Sequence, residues 1–185
     1  MLILGFGNKA RHGKDTAGEA VVEYYQKQNA RLAGLYGRHK PLNVKLYKFA
    51  DALYRECREQ HGMTEKDPAL LQNVGMKRRG EDADYWVKQI DAQLEIEKPD
   101  IAVITDVRFL NEVRYVRQRR GVSVNVSRLN EDGTPYVSTD RDRYHPSETE
   151  LDDYAWSYFI KAYTGEVSLV EQQAVLITEF ERARR

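Results

Sequence analysis

The stretch MLILGFGNKARHGKDT, residues 1–16, decides the reading of the fold. Four apolar residues lead to Gly5, a turn bearing Gly7 and Gly13 follows, and a helical pattern opens at Lys14. A glycine-rich turn between a strand and a helix is the setting of the phosphate-binding pattern G-x-x-x-x-G-K-[ST]. Counting back from Gly13-Lys14, the first glycine is replaced by Asn8, and the place of Ser or Thr is taken by Asp15, with Thr16 next. Asn is the commonest non-glycine visitor to left-handed backbone, so Asn8 can stand where glycine is usual. Successive amides in such a turn, with the dipole of the following helix, hold phosphate oxygens, and Lys14 supplies a point charge. Asp15 is the departure: a carboxylate beside phosphates is repulsive unless a cation lies between. The expectation is that Asp15 reaches Mg²⁺ through water while the Thr16 hydroxyl approaches the phosphates or the metal. The competing structural reading is a plain strand-to-helix turn with Asp15 favourable in the first helical turn.

Outward from this stretch, short apolar runs alternate with helical patterns. Strands are expected at 2–5, 44–50, 101–107, 122–126 and 158–162. The run IAVITDV is apolar on consecutive residues, as a parallel strand covered on both faces should be. Helices are expected from 14 to about 29, 50 to about 60, 85 to about 98, 110–120, and 168 nearly to the end. The third of these helical patterns, from Tyr85, presents Trp86, Val87, Ile90 and Leu94 inward and stops before Pro99. SLVE at 168–171 reads as a capping box, with Val170, Ala174 and Ile177 on one face beside Leu169, Leu176 and Phe180. The alternation predicts an α/β fold, a three-layer doubly wound parallel sheet in one domain over 1–185. Residues 60–84 and 130–153 fit the alternation poorly and read as excursions over the sheet edge.

At 185 residues the chain can bury a real core. Lys plus Arg equals Asp plus Glu at 29 each, so no net field draws it to nucleic acid or anionic lipid. The single cysteine, Cys57, excludes an internal disulfide, makes a reducing compartment the default, and reads as plain packing. Residues 1–4 are too short an apolar run for a signal peptide or membrane span, so a soluble, cytoplasmic protein is expected.

In open parallel sheets, ligands bind beyond the carboxyl ends of the strands. Asp106 falls there and could order the water shell of Mg²⁺, with Arg108 clamping a phosphoryl group. Its structural alternative is to cap the next helix and pair with Arg108. Asp51, in KFADALY, is either a helix cap or a contact to an acceptor hydroxyl. In the first excursion Arg78, Arg79 and Trp86 could bind an acceptor phosphate and flank a base, although Trp86 also sits at core spacing with Ile90. In the second, Arg128, Arg141, Arg143 and His145 form a cationic set of the kind a lid needs, against the plainer reading of DRDR as a self-paired solvated loop. His145 lacks metal-ligand partners at zinc spacing.

Taken in order, KARHGKDT, KFADAL, LLQNVG, RR, DADYWV, ITDVRFLNEV, VNVSR, HPSETELDD and TGEVSLVEQ resemble the phage-type deoxynucleoside monophosphate kinases. These are P-loop kinases related in fold to adenylate kinase. That family shows GKARSGKDT, FADPLK, LLQ-x-x-G with a downstream R and YWV, DVRFxNE, HxSExxLD and a late glycine before the last helix. The resemblance spans nearly the whole chain. It implies a P-loop nucleoside triphosphate hydrolase/kinase fold, ATP and Mg²⁺ as cofactors, and transfer of phosphate to a deoxynucleoside monophosphate. Carried over by position, Arg11, Gly13, Lys14, Asp15 and Thr16 would hold ATP. Arg79 and Arg128 would hold the monophosphate, with Arg78 an alternative to Arg79. Lys14, Asp106 and Arg108 would be catalytic, Asp15, Thr16 and Asp106 would serve the metal, and Glu148 would belong to the lid. Asn8 for Gly, His12 for Ser and Met76 for Thr depart from the family's pattern, and His12 is expected to put a titratable ring beside the phosphates. If phage-encoded, the enzyme would work in host cytoplasm, without nucleic acid or membrane, as a monomer or a homodimer.

Two other readings stay open. Phosphomevalonate kinases are similar in the phosphate loop, the aspartate–arginine strand end and the SE-x-x-LD segment. A nucleotide-responsive binding module using the basic run 117–120 on nucleic acid is a non-enzymatic alternative, opposed by the zero net charge.

Overall fold

The computed structural model describes residues 1–36, 40–139 and 142–185. Arg141 therefore lies outside the described residues. In chain order the elements are β1 (Leu2–Gly7), α1 (Lys14–Tyr36), β2 (Val44–Tyr47), α2 (Phe49–His61), α3 (Pro68–Glu81) and α4 (Tyr85–Glu97). Then come β3 (Ile101–Val107), α5 (Leu110–Gln118), β4 (Val122–Leu129), α6 (Pro146–Thr149), β5 (Tyr158–Tyr163) and α7 (Val167–Ala183).

The five strands form one sheet in the order β2-β3-β1-β4-β5, every pair parallel. Side chains alternate across it and feed two apolar layers. Leu2, Leu4 and Phe6 of β1, with Val103, Val124, Val126 and Ile160, pack with Val21 and Tyr25 of α1 and Val170 and Ala174 of α7. Ile3, Ala102, Ile104 and Val107 face the other way, onto α2, α4 and α5 through Phe49, Trp86, Ile90, Leu94, Val113 and Val116. Helices on both faces of a parallel sheet make the expected three layers. Central β1 must be thin where its neighbours press on it. A Cβ on Gly7 would sit 2.2 Å from the Trp156 ring. On the other face, one on Gly18 of α1 would sit 2.1 Å from Thr105 Cγ2, so glycine lets α1 lie close against β3.

Several boundaries differ from the sequence expectation, each for a local reason. β2 ends at Tyr47 and not at residue 50, because Asp106 at the end of β3 accepts hydrogen bonds from the amides of Phe49 and Ala50, both at 2.8 Å. That cap starts α2 early. The first excursion contains the helix α3: Asp67 caps it through the Leu70 amide and Pro68 occupies its first turn. Leu71 and Val74 of α3 join Cys57 and Met63 in a small cluster, so Cys57 does pack as an inert core residue. The capping box at Ser168 does not form. α7 starts at Val167 with no side-chain cap, and the Glu166 carboxylate accepts the Tyr163 amide instead, at 2.8 Å. Leu176 and Phe180 stand out on the exposed side of α7, away from Val170 and Ala174. β4 runs on to Leu129, which carries Arg128 into the strand end. Among the described residues no helix is long and apolar enough to cross a membrane.

Candidate functional site

A cavity of about 1390 Å³ opens at the carboxyl ends of β1, β3 and β4, where a doubly wound sheet offers its crevice. Its floor is the turn between β1 and α1. Asn8 (φ 116°), Arg11 (φ 61°) and Gly13 (φ 89°) all take positive φ, the conformation that turns a chain sharply and gathers its amides. Asn8 does stand in the backbone region where glycine is usual, and its side chain adds a tether. Nδ2 donates to Val126 O (3.1 Å), Ser127 Oγ (2.9 Å) and Asn125 Oδ1 (3.2 Å) at the end of β4.

Gly13, Lys14, Asp15 and Thr16 line the cavity at the amino end of α1, so the positive end of that helix dipole faces it. Lys14 is buried and its ammonium donates to the Lys9 carbonyl across the turn. Burial, and then the charge of Arg108, push its pKa down to about 7. An anion in the cavity reverses that penalty.

His12 is not beside the cavity as a charged ring. It is 4 % exposed and strapped to the hairpin that follows β4: Nδ1 accepts the Arg128 amide (3.1 Å), which leaves Nε2–H to donate to Tyr136 O (3.0 Å). Burial drives its pKa down to about 4, so the ring is neutral.

The carboxylates are all engaged. Asp15 accepts the Thr105 hydroxyl at 2.8 Å and pairs with Lys48 at 2.7 Å on the same oxygen. Burial alone would raise its pKa; the hydrogen bonds from Lys48 and Thr105 outweigh it and hold the group below the usual range. Asp106 caps α2 and not the helix after it, and burial pushes its pKa up against those two amide bonds. Glu148 is buried against the turn: Oε2 accepts the Ala10 amide at 2.8 Å and Oε1 pairs with Arg108 at 2.6 Å. Arg108 is therefore partnered with Glu148, not Asp106.

Two arginines stand on opposite sides of β1. On the β3 side Arg79 pairs with Glu112 at 2.7 Å, lies 4.0 Å over the Phe109 ring, and its Nε has no hydrogen-bond partner among the described residues. Glu112 also accepts the amides of Arg108 (2.8 Å) and Phe109 (3.2 Å), and burial pushes its pKa up to about 7. On the β4–β5 side Arg128 lies 4.1 Å over the Tyr136 ring and donates to Thr164 Oγ1 at 2.9 Å. Both nevertheless line the same cavity. Arg78 turns away to Glu56 and Glu81, so Arg79 is the member of that pair that lines the cavity.

Arg11, Arg128, His145 and Glu148 line the cavity as well. His145 does so as the cap of α6, accepting the Ser147 amide at 3.2 Å. Trp86 shows the cavity only an edge: it is 2 % exposed, packed in the core, with Nε1 donating to Gly75 O at 3.4 Å. Asp51 is exposed in the first turn of α2 and does not line the cavity. Nor does Arg143, which lies over the neighbouring Tyr144 ring, 4.7 Å from its centroid. Lys48, Thr105, Glu112 and Tyr136 are the participants that sequence reasoning missed. Lys48 and Glu112 lie inside KFAD and FLNE, but their partners are far away in the chain.

Among the described residues no three His, Cys, Asp or Glu side chains are grouped to hold a metal ion. Against known proteins, the chain matches no family model and no curated protein.

Proposed function

We propose that this chain is a kinase that moves the γ-phosphoryl group of Mg·ATP onto the 5′-phosphate of a deoxynucleoside monophosphate. The observation that carries the reading is the left-handed turn from Asn8 to Gly13. It delivers Lys14 and the amino end of α1 into a cavity that extends past the turn on both sides. One anion chain on the turn and a second anion beyond it make a phosphoryl-transfer arrangement.

On the β4–β5 side, Arg128, the Tyr163–Glu166 turn and Val170 offer a flat cation and a partly apolar slot for the donor nucleoside. On the β2–β3 side, Phe49, Leu53, Leu71 and Met76 offer apolar surface for the acceptor nucleoside, with Arg79 toward its phosphate. Arg128 thus serves the donor in this reading, and Arg79 the acceptor. The acceptor oxygen attacks the γ-phosphorus, the bond to the β–γ bridging oxygen breaks, and that oxygen keeps the electron pair as ADP leaves. Lys14 and Arg108 face the oxygens on which charge gathers, and positioning supplies most of the rate.

Mg²⁺ suits the donor set, since it commonly takes only one or two protein oxygens beside phosphate and water. The Thr16 hydroxyl would hold it directly and Asp106, whose two oxygens each already accept an amide, would act through water, while Oδ1 of Asp15 is taken by Lys48 and Thr105. When bound, the ion neutralises charge on the β- and γ-oxygens.

ADP release measured with ATP and each deoxynucleoside monophosphate, and with phosphomevalonate, tests the reading. Acceptor-dependent release with at least one deoxynucleotide is expected. Lys14→Ala should lower it by about 10²–10³-fold with the fold intact by circular dichroism. Release driven by phosphomevalonate alone would replace the acceptor, and a folded Lys14→Ala at wild-type rate would remove the site.

A further inference from the structure

The cation that Asp15 calls for is already present in the chain. Lys48 sits at the end of β2, where Tyr47 pairs with Ile104 of β3, and the next two amides are fixed on Asp106. Its backbone is therefore anchored on both sides. From there the ammonium reaches the first turn of α1, 2.7 Å from Asp15 Oδ1, while Thr105 donates to that same oxygen at 2.8 Å. Both Lys48 and Asp15 line the cavity, and so do Phe49 and Ala50 next to Lys48 on the acceptor side. Side-chain exposure is 29 % for Lys48 and 60 % for Asp15, so the pair is open to a ligand.

We propose that Lys48 contacts the transferring phosphoryl group from the acceptor side, and that Asp15, oriented by Thr105, holds it there in place of a metal ion. The inference rests on the kinase reading above, and it assigns that reaction a second lysine besides Lys14. Two phosphate anions brought together repel strongly in a low-dielectric site, and a fixed cation between them offsets that without reorganising. An Asp–Lys pair this exposed adds little to stability by itself, so the hydrogen-bonded geometry is better explained by the ligand it faces. Lys48 moves no proton in the step. It stabilises charge on the γ-oxygens as the bond to the β–γ bridging oxygen breaks and the bond to the acceptor oxygen forms.

The test uses the full chain and its Lys48→Met, Lys48→Arg and Asp15→Asn variants, with ADP release for turnover and calorimetry for ATP and ADP binding. Lys48→Met should lower kcat by about 10²-fold and bring the ATP and ADP dissociation constants together. Lys48→Arg should keep kcat within about tenfold, since charge is retained while the ammonium's compact shape is lost. The Mg²⁺ concentration for half-maximal rate should stay unchanged in Asp15→Asn. Lys48→Met turnover and ATP preference equal to wild type would overturn the proposal. So would a large rise in the Mg²⁺ requirement of Asp15→Asn, which would make the carboxylate a metal group. A wild-type chain that prefers ATP over ADP yet transfers to no acceptor sinks the kinase reading alone; the loss of that preference in Lys48→Met then still decides for Lys48, and its retention against. A chain that binds neither nucleotide overturns both.

Discussion

His12 gives the sharpest stability prediction, because its ring can be followed without any substrate. Folding places it where it is neutral, accepting at Nδ1 and donating at Nε2, with its pKa moved from 6.5 to about 4. A base whose folded pKa is depressed contributes stability that is fully present above its unfolded pKa and is lost as pH falls toward the folded one. Linkage over those two values gives a loss of about 0.8 kcal/mol at pH 6, about 2 kcal/mol at pH 5 and about 3 kcal/mol at pH 4. The perturbation is His12→Ala, which removes the titration along with both hydrogen bonds. Urea unfolding of wild type and variant at pH 7.5, 6 and 5 measures the difference between them. That difference should be largest at pH 7.5 and should shrink by about 2 kcal/mol at pH 5. A difference that stays constant across this range, with both chains unfolding in a single transition, would mean that the ring titrates normally and is not strapped to the hairpin.

Three further outcomes follow from geometry. Gly18→Ala should destabilise by about 1–3 kcal/mol in urea, although alanine is the better helix former by about 1 kcal/mol, because its methyl meets Thr105 Cγ2; an unchanged midpoint would show that α1 can shift away from β3. Arg79→Met should cost about 3–5 kcal/mol at pH 8 by leaving Glu112 buried without its counter-charge, and adding Glu112→Gln should recover part of that loss. A double variant no more stable than Arg79→Met alone would contradict the pairing. Glu148→Gln keeps an acceptor for the Ala10 amide but not the charge facing Arg108, so transfer in the ADP-release assay should fall by about tenfold with little change in melting temperature.

The layers were legible because their signal is local. Short apolar runs announced β1 and β3 as strands, β3 as one covered on both faces, and the 3.6-residue stripe of Trp86, Val87, Ile90 and Leu94 announced α4, all four of which are buried. α3 was hidden because it buries only Leu71, Val74 and Gly75, and because Gly75 and Gly80 weaken its pattern; the Asp67–Pro68 start was a signal that went unused. The phosphate-loop residues could be named from spacing, but their partners could not. Asp106 caps a helix 56 and 57 residues back in the chain, and Glu148 reaches the Ala10 amide across 138 residues. Such pairs depend on which strands lie side by side. The order β2-β3-β1-β4-β5 sets Asp106 next to α2 and sets Arg79 and Arg128 on different sides of β1, and a motif read along one dimension carries neither fact.

The three hydrogen bonds from the Asn8 amide to β4 have a consequence for engineering the turn. Reverting position 8 to the commoner glycine would ease the backbone and, at the same stroke, strip Ser127 and the Val126 carbonyl of a donor. Loop and neighbouring strand are stitched together by a letter that departs from the consensus. A designer who repaired the pattern would be unpicking that seam.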